Sequence, residues 1–165
     1  MVVGMIGVNG GIPISGVNVS RPKDVQEEIV YKLALETAAR LEVKNTIARD
    51  DIVCFDQYVG PGYSLPTDSM VEAVKLFAKT EAILLDPVYS GKAAAGLIDL
   101  VRKNHFPKGA NVLFLHTGGS PALYAYLDTF RQLLQIGGSR STHTVLHIHI
   151  PTSKTELFIF QVRPT

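Results

Sequence analysis

The 165-residue chain holds a single cysteine, Cys54, which excludes an internal disulfide and a cysteine-built zinc cage. It lies in the apolar run Ile-Val-Cys-Phe and reads as core. Neither sign of charge is in excess. Sixteen basic residues face 15 acidic ones, so the chain lacks the electrostatic footprint of a nucleic-acid or anionic-membrane binder. A small neutral or zwitterionic partner fits better. The stretch from Met1 to Val8 has no basic segment and is too short an apolar run for a signal peptide or a membrane span. These absences give the expectation of a soluble chain in the cytoplasm or an organelle interior. What is present is 46% hydrophobic residues, enough to build the core of one domain.

Three short continuous apolar runs, Ile52 to Phe55, Ala82 to Leu85 and Val112 to Leu115, lack the polar alternation of a half-wet antiparallel strand and read as buried strands. Ile12 to Val19 is a fourth, rich in β-branched residues after the turn Gly10-Gly11. Helical spacing lies between them. Pro22 to Leu41 predicts a helix with Val25, Ile29, Leu33 and Leu41 on its apolar face beside Ala34 and Ala38. Ser69 to Glu72 has capping-box spacing and opens a helix striped with Met70, Val74 and Phe77. A third helix starts near Ser90 and buries Ala94, Leu97, Ile98 and Val101; a fourth follows Ser120, where Pro121 suits the first helical position. Strands alternating with helices predict an α/β fold of three layers, a parallel sheet with helices on both faces.

Gln132 to Thr165 differs in character, with β-prone strings and three of the five histidines. It reads as a tail unrelated to residues 1–131, a hairpin or a disordered segment for which no upstream edge is evident, and its removal is expected to leave the core at least as stable. His147 and His149 share a strand face but have no third ligand nearby, so no metal site is assigned. Gly7, Gly10 and Gly11 lack the spacing of a dinucleotide loop.

In an open parallel sheet, ligands bind beyond the carboxyl ends of the strands. The segments after the apolar runs are polar there: Pro61-Gly62-Tyr63-Ser64-Leu65-Pro66, Asp86-Pro87-Val88-Tyr89-Ser90-Gly91-Lys92, and His116-Thr117-Gly118-Gly119-Ser120. Together they would bring Tyr63, Tyr89, Ser90, His116 and Thr117 to one rim, with glycines that let backbone approach a flat ligand. The competing reading is that Ser90 caps a helix, Gly118-Gly119 closes a turn and His116 is a satisfied buried histidine.

The strings PGYSLP, DPVYSGK and HTGG, in this order and spacing, resemble motifs of the D-cysteine desulfhydrase and ACC deaminase family, and the resemblance runs from about Val2 to Arg131. It implies the C-terminal part of a fold-type-II pyridoxal-phosphate enzyme, related to the tryptophan synthase β subunit. It further implies Tyr89 against the pyridine ring, Ser90, Thr117 and Gly118 about the ring or nearby substrate, and Tyr63 facing the substrate pocket, with Tyr63 and Tyr89 as the catalytic candidates. The deaminases typically carry Glu after the DPVY tyrosine and Leu in place of the HTGG threonine. Ser90 and Thr117 stand there instead, and neutral hydroxyls leave the ring a weaker electron sink than a carboxylate does. That favours a lyase releasing pyruvate, hydrogen sulfide and ammonia from D-cysteine.

No GGNK-type string, the family's Schiff-base lysine segment, occurs in the sequence, and the family's phosphate loop would fall just upstream of Met1. Lys92 is read as a solvated, paired lysine at a helix start and not as its substitute. The chain alone is therefore expected to hold pyridoxal phosphate weakly and to be inactive. The partners expected are a small amino-acid substrate and a second copy or a complementary N-terminal half; a noncatalytic α/β remnant is the alternative.

Overall fold

The computed structural model describes residues 1–136 and 155–160, with side chains described through Arg131. Helix α1 (Val2–Gly7) leads into strand β1 (Ile14–Val17), helix α2 (Lys23–Arg40) and strand β2 (Val53–Phe55). Then come α3 (Asp68–Glu81), α4 (Ser90–Arg102), β3 (Asn111–Phe114), a 3₁₀ segment (Ser120–Tyr126), α5 (Leu127–Ile136) and β4 (Thr155–Phe160). The four strands form one parallel sheet in the order β2-β1-β4-β3, with Val17 opposite Phe55 and Gly16 opposite Cys54. The expected α/β class stands.

Parallel strands bury both faces, and here each face has its own helices. On one side α1 and α2 pack Val3, Ala34 and Ala38 against Ile52 and Cys54. On the other side Ala93 and Leu100 of α4 meet Val17, with Phe55 and Phe114 beside them. Helix α3 backs α4 through Met70, Ala73 and Val74, in a cluster that takes in Leu85 and Ala94. The approach is close because α4 carries glycines at its contacts. A Cβ on Gly91 would lie 2.6 Å from the Asp86 carbonyl and 2.8 Å from Val74; one on Gly96 would lie 3.0 Å from the Tyr58 ring.

Three expectations need correction. Of the face expected for α2, Ala34 and Ala38 are buried, joined by Gln26, whereas Val25, Leu33 and Leu41 are exposed. Small residues at a four-residue spacing let the helix lie close to β2, and the larger residues one position away turn outward. Ala82 to Leu85 is not a strand. Helix α3, opened by Thr67 Oγ1 accepting from the Met70 N–H, closes on Ala82 in the left-handed region (φ 56°), and the Ile83 N–H donates back to Phe77. That termination removes the first residue of the run, and the ladder beside β1 and β3 is filled by β4. The third correction concerns the edge for residues 155–160: β1 and β3 supply one on each side of them. The hairpin string Thr144 to Ile150, including His147 and His149, lies outside the described residues.

Among the described residues no helix is long and apolar enough to cross a membrane, and no three potential ligands cluster to hold a metal.

Removing residues 132–165 takes away β4, one of the two inner strands, which leaves β3 without a neighbour and opens one edge of β1 while its pairing with β2 remains. A chain ending at Arg131 is therefore expected to melt at a lower temperature and to elute as larger species in size exclusion, the reverse of the outcome expected for a dispensable tail.

Cys54 is 5% exposed. Burial, reinforced by the Glu27 carboxylate and opposed by Lys23, pushes its thiol from an ordinary 9.0 up to about 11. The folded chain thus keeps its proton where the unfolded chain loses it, so this group's contribution is complete below about pH 9 and declines as pH rises through about 11. Urea unfolding at pH 8 and pH 10.5 should show a larger alkaline loss of stability in the unsubstituted chain than in Cys54→Ala.

Candidate functional site

At the carboxyl edge of the sheet, the segments after β2 and β3 and the turn before α4 meet. Asp86 organises them. Its side chain is 1% exposed, and it accepts the N–H groups of Val88 (2.9 Å), Tyr89 (2.6 Å) and Ser90 (2.8 Å) and the Ser90 hydroxyl (2.5 Å). A carboxylate has about four acceptor positions, and all are used. The N–H groups are those left without partners at the start of α4, and the helix dipole favours an anion there. Asp86 thereby fixes the turn that presents Tyr89.

Across the cleft, Gly119 takes φ 94°, and a Cβ there would lie 2.8 Å from Asp86 Oδ2. Only glycine fits both the conformation and the contact. His116 Nδ1 accepts the Gly118 N–H at 3.0 Å, which leaves Nε2 as the donor to the Leu84 carbonyl, also at 3.0 Å. Ser120 Oγ donates to the same carbonyl at 2.7 Å. The HTGG segment is thus tied to the chain just ahead of Asp86.

The third side is the loop after β2. Tyr63 and Tyr89 touch through their hydroxyls, with ring centroids 5.9 Å apart and planes inclined by 54°. Tyr58 donates to Asp99 of α4 at 2.7 Å, and Tyr126 donates to the Ser64 carbonyl at 2.9 Å. Lys92 lies wholly buried in the first turn of α4, with Nζ 2.6 Å from the Val59 carbonyl and 2.8 Å from that of Gly62. Burial holds its ammonium below the ordinary lysine range.

The residues singled out in the sequence therefore divide. Tyr63 and Tyr89 meet; Thr117 and Gly118 stand exposed on the neighbouring HTGG segment, and the Cβ direction of Gly118 (φ 99°) opens onto space with nothing within 4 Å. Ser90 faces inward. Its hydroxyl donates to Asp86 Oδ2 and accepts the Asp86 N–H at 2.7 Å, so both of its functions are spent within the turn. Lys92 corrects the expectation of a solvated pair: it is enclosed, and among the described residues it forms no ion pair. Asp86 and Tyr126 had been given no role. An Asp-Pro step four residues before a helix-starting serine was the signal for the first; the second carried none. A separate apolar cavity of about 320 Å³ lies on the α2 face, lined by Val2, Gly16, Val30, Leu33, Ala34 and Cys54 among others. It includes none of the rim residues.

An open parallel α/β sheet with hydroxyl-bearing loops gathered beyond its strand ends has the layout in which proteins of this class place small-molecule sites. The comparisons make the assignment specific. The family model for pyridoxal-phosphate dependent enzymes matches residues 2–118, and the chain belongs to that family. The 1-aminocyclopropane-1-carboxylate (ACC) deaminase of Burkholderia vietnamiensis is 40% identical over 131 residues, 79% of this chain and 39% of that protein. The ACC deaminase of Rhizobium rhizogenes is 44% identical over 102 residues, 62% of this chain and 30% of that protein. A crystal structure of an ACC deaminase homologue superposes with a TM-score of 0.69 at 32% identity, covering 79% of this chain and 38% of that one. The chain thus spans about two fifths of the length of these relatives.

The open approach at Gly118, the exposed Thr117 and the Tyr63–Tyr89 pair are compatible with a planar ring, whereas the enclosed Lys92 amine does not suit a Schiff base.

Asp86→Ala would leave three N–H groups at a buried helix start without acceptors. It is expected to cost about 3–5 kcal/mol, and Asp86→Asn less, because one oxygen remains. Urea titration of the three chains measures both.

Proposed function

We propose that this chain forms the ring- and substrate-facing wall of a pyridoxal-phosphate-dependent lyase acting on a small β-thiol amino acid of the D-cysteine type. The overall change would convert D-cysteine and water to pyruvate, hydrogen sulfide and ammonia. The observation that carries the reading is the chemistry of the rim. Its exposed polar group on the HTGG segment is the Thr117 hydroxyl, and the nearby carboxylate, Asp86, is turned inward and saturated by the start of α4.

When bound, the cofactor supplies an electron sink for charge developing at the substrate Cα, and its strength follows the group beside the pyridine nitrogen. Thr117 would face that edge with a neutral hydroxyl. A weaker sink suffices for β-elimination, where a thiolate leaves from the carbon next to Cα. The paired hydroxyls of Tyr63 and Tyr89 would hold a proton beside the departing sulfur and keep water from the face they cover. Ser90 contributes through the turn that sets Tyr89. The lysine and the phosphate loop would come from a complementary N-terminal half. By itself the chain offers ring contacts alone, and neutral hydrogen bonds and stacking at about 1 kcal/mol each fall short of firm binding.

A deaminase reading is favoured by a different observation, the ACC deaminase name shared by the relatives at about 40% identity. The two separate in one assay. In a chain completed with an N-terminal half, pyruvate and sulfide should form from D-cysteine faster than 2-oxobutyrate forms from ACC. Faster ring opening would reject the lyase assignment. The isolated chain, mixed with pyridoxal phosphate and reduced with borohydride, should give no stoichiometric adduct by mass spectrometry.

A further inference from the structure

We infer that Lys92 is a positioning residue, a buried ammonium that clamps the 59–62 loop onto the first turn of α4 and so sets Tyr63 against Tyr89. This rests on the proposed reading of those tyrosines as the substrate-facing pair. The loop has little to hold it in place by itself. Gly60 and Ser64 both take left-handed conformations (φ 68° and 61°), and the segment's own backbone bonds are the long ones from Val59 N–H to Asp56 (3.2 Å) and from Leu65 N–H to Gly62 (3.3 Å). Its firm attachments come from outside it.

Two of those attachments are the short bonds from Lys92 Nζ to the Val59 and Gly62 carbonyls. An ammonium donating to carbonyls makes charge-assisted bonds, stronger than neutral ones. Burying a lysine with no carboxylate in contact is costly. The expense makes sense where the gain is geometry. Carbonyls three residues apart are gripped by one point charge, which fixes the curvature of the loop between them. Tyr63 follows immediately. Lys92 and Tyr89 sit three residues apart at the start of the same helix, so the clamp and the ring it serves share one rigid support. Tyr58 on Asp99 and Tyr126 on Ser64 anchor the flanks, and neither reaches the Val59 or Gly62 carbonyl.

The test uses the ligand-free full chain, so it stands or falls separately from the lyase assignment. Lys92→Met keeps the apolar stem and removes the donors. Amide exchange at Val59 and Leu65 should accelerate roughly tenfold or more, while exchange at Val43, bonded to Ala38 on the far face, stays unchanged. The near-ultraviolet circular dichroism, which tyrosines dominate in a chain without tryptophan, should weaken as the Tyr63–Tyr89 pair loosens. Lys92→Cys in a Cys54→Ala background, alkylated with bromoethylamine to rebuild an ammonium of the same reach, should restore both signals. Unchanged exchange at Val59 and Leu65, or equal acceleration at Val43, would overturn the inference. So would failure of Lys92→Met to fold if, in the unsubstituted chain, Val59 and Leu65 exchange only by global unfolding, because the lysine would then support the whole core instead of the loop.

Discussion

The buried Asp86 carboxylate is the constraint on which the rest of the site depends. A charge at 1% exposure is tolerable only if its acceptor positions are filled. The start of α4 fills them with three backbone N–H groups and one hydroxyl. Satisfying the carboxylate dictates the conformation of Val88, Tyr89 and Ser90, and that conformation projects the Tyr89 ring toward the rim. It also consumes the Ser90 hydroxyl and leaves no space for a side chain at position 119. One electrostatic requirement therefore fixes a turn, a helix start and the approach of a second loop.

Helix α4 is the platform to which the other parts are attached. Gly91 brings it against α3 at a distance a methyl group would forbid, Gly96 brings it against β1 at one a methyl group would crowd, and Ala93 and Ala94 are fully buried between. Its polar residues reach the other way. Lys92 grips the loop after β2, and Asp99 accepts from Tyr58 while pairing with Lys103 at 2.7 Å. The rigidity of the rim comes from the core side of the helix and its alignment from the polar side. A site placed on loops gains in this way the precision of a site placed on a helix.

Much of this was legible in the sequence where a pattern maps onto a single physical cause. Ile52 to Phe55 and Val112 to Leu115 are short apolar runs between turn signals, and each forms a strand of the sheet. The same rule failed at Ala82 to Leu85, because helix termination competes for Ala82 and periodicity carries no information about which run wins the place between β1 and β3. It held only in part for the facing of α2, where Ala34 and Ala38 are buried as expected but Val25, Leu33 and Leu41 are exposed, because close contact with β2 favours the smaller residues. The Tyr63–Tyr89 meeting was expected from placing each motif at a strand end, and it occurs although only the Tyr63 loop follows a strand; Tyr89 is carried by the turn before α4. The roles of Asp86 and Lys92 were not legible in this way, since a charged residue at a helix start reads as solvated until the loops that bury it are placed; Ser90 was expected at a helix cap or at the ring, and its hydroxyl is spent on Asp86.

The enclosure of Ser90 bears on the electronics of the rim. With both functions of that hydroxyl spent on Asp86, the position after the tyrosine acts by what it omits. A glutamate there would bring a second negative charge beside a carboxylate already surrounded by its donors, and the two would repel in a setting of low polarity. Such a side chain would be driven outward, toward the ligand edge, where a carboxylate strengthens the electron sink. Serine instead folds back onto Asp86. The identity of one residue thus decides whether the turn projects a charge outward or closes on itself, and in this chain it closes on itself.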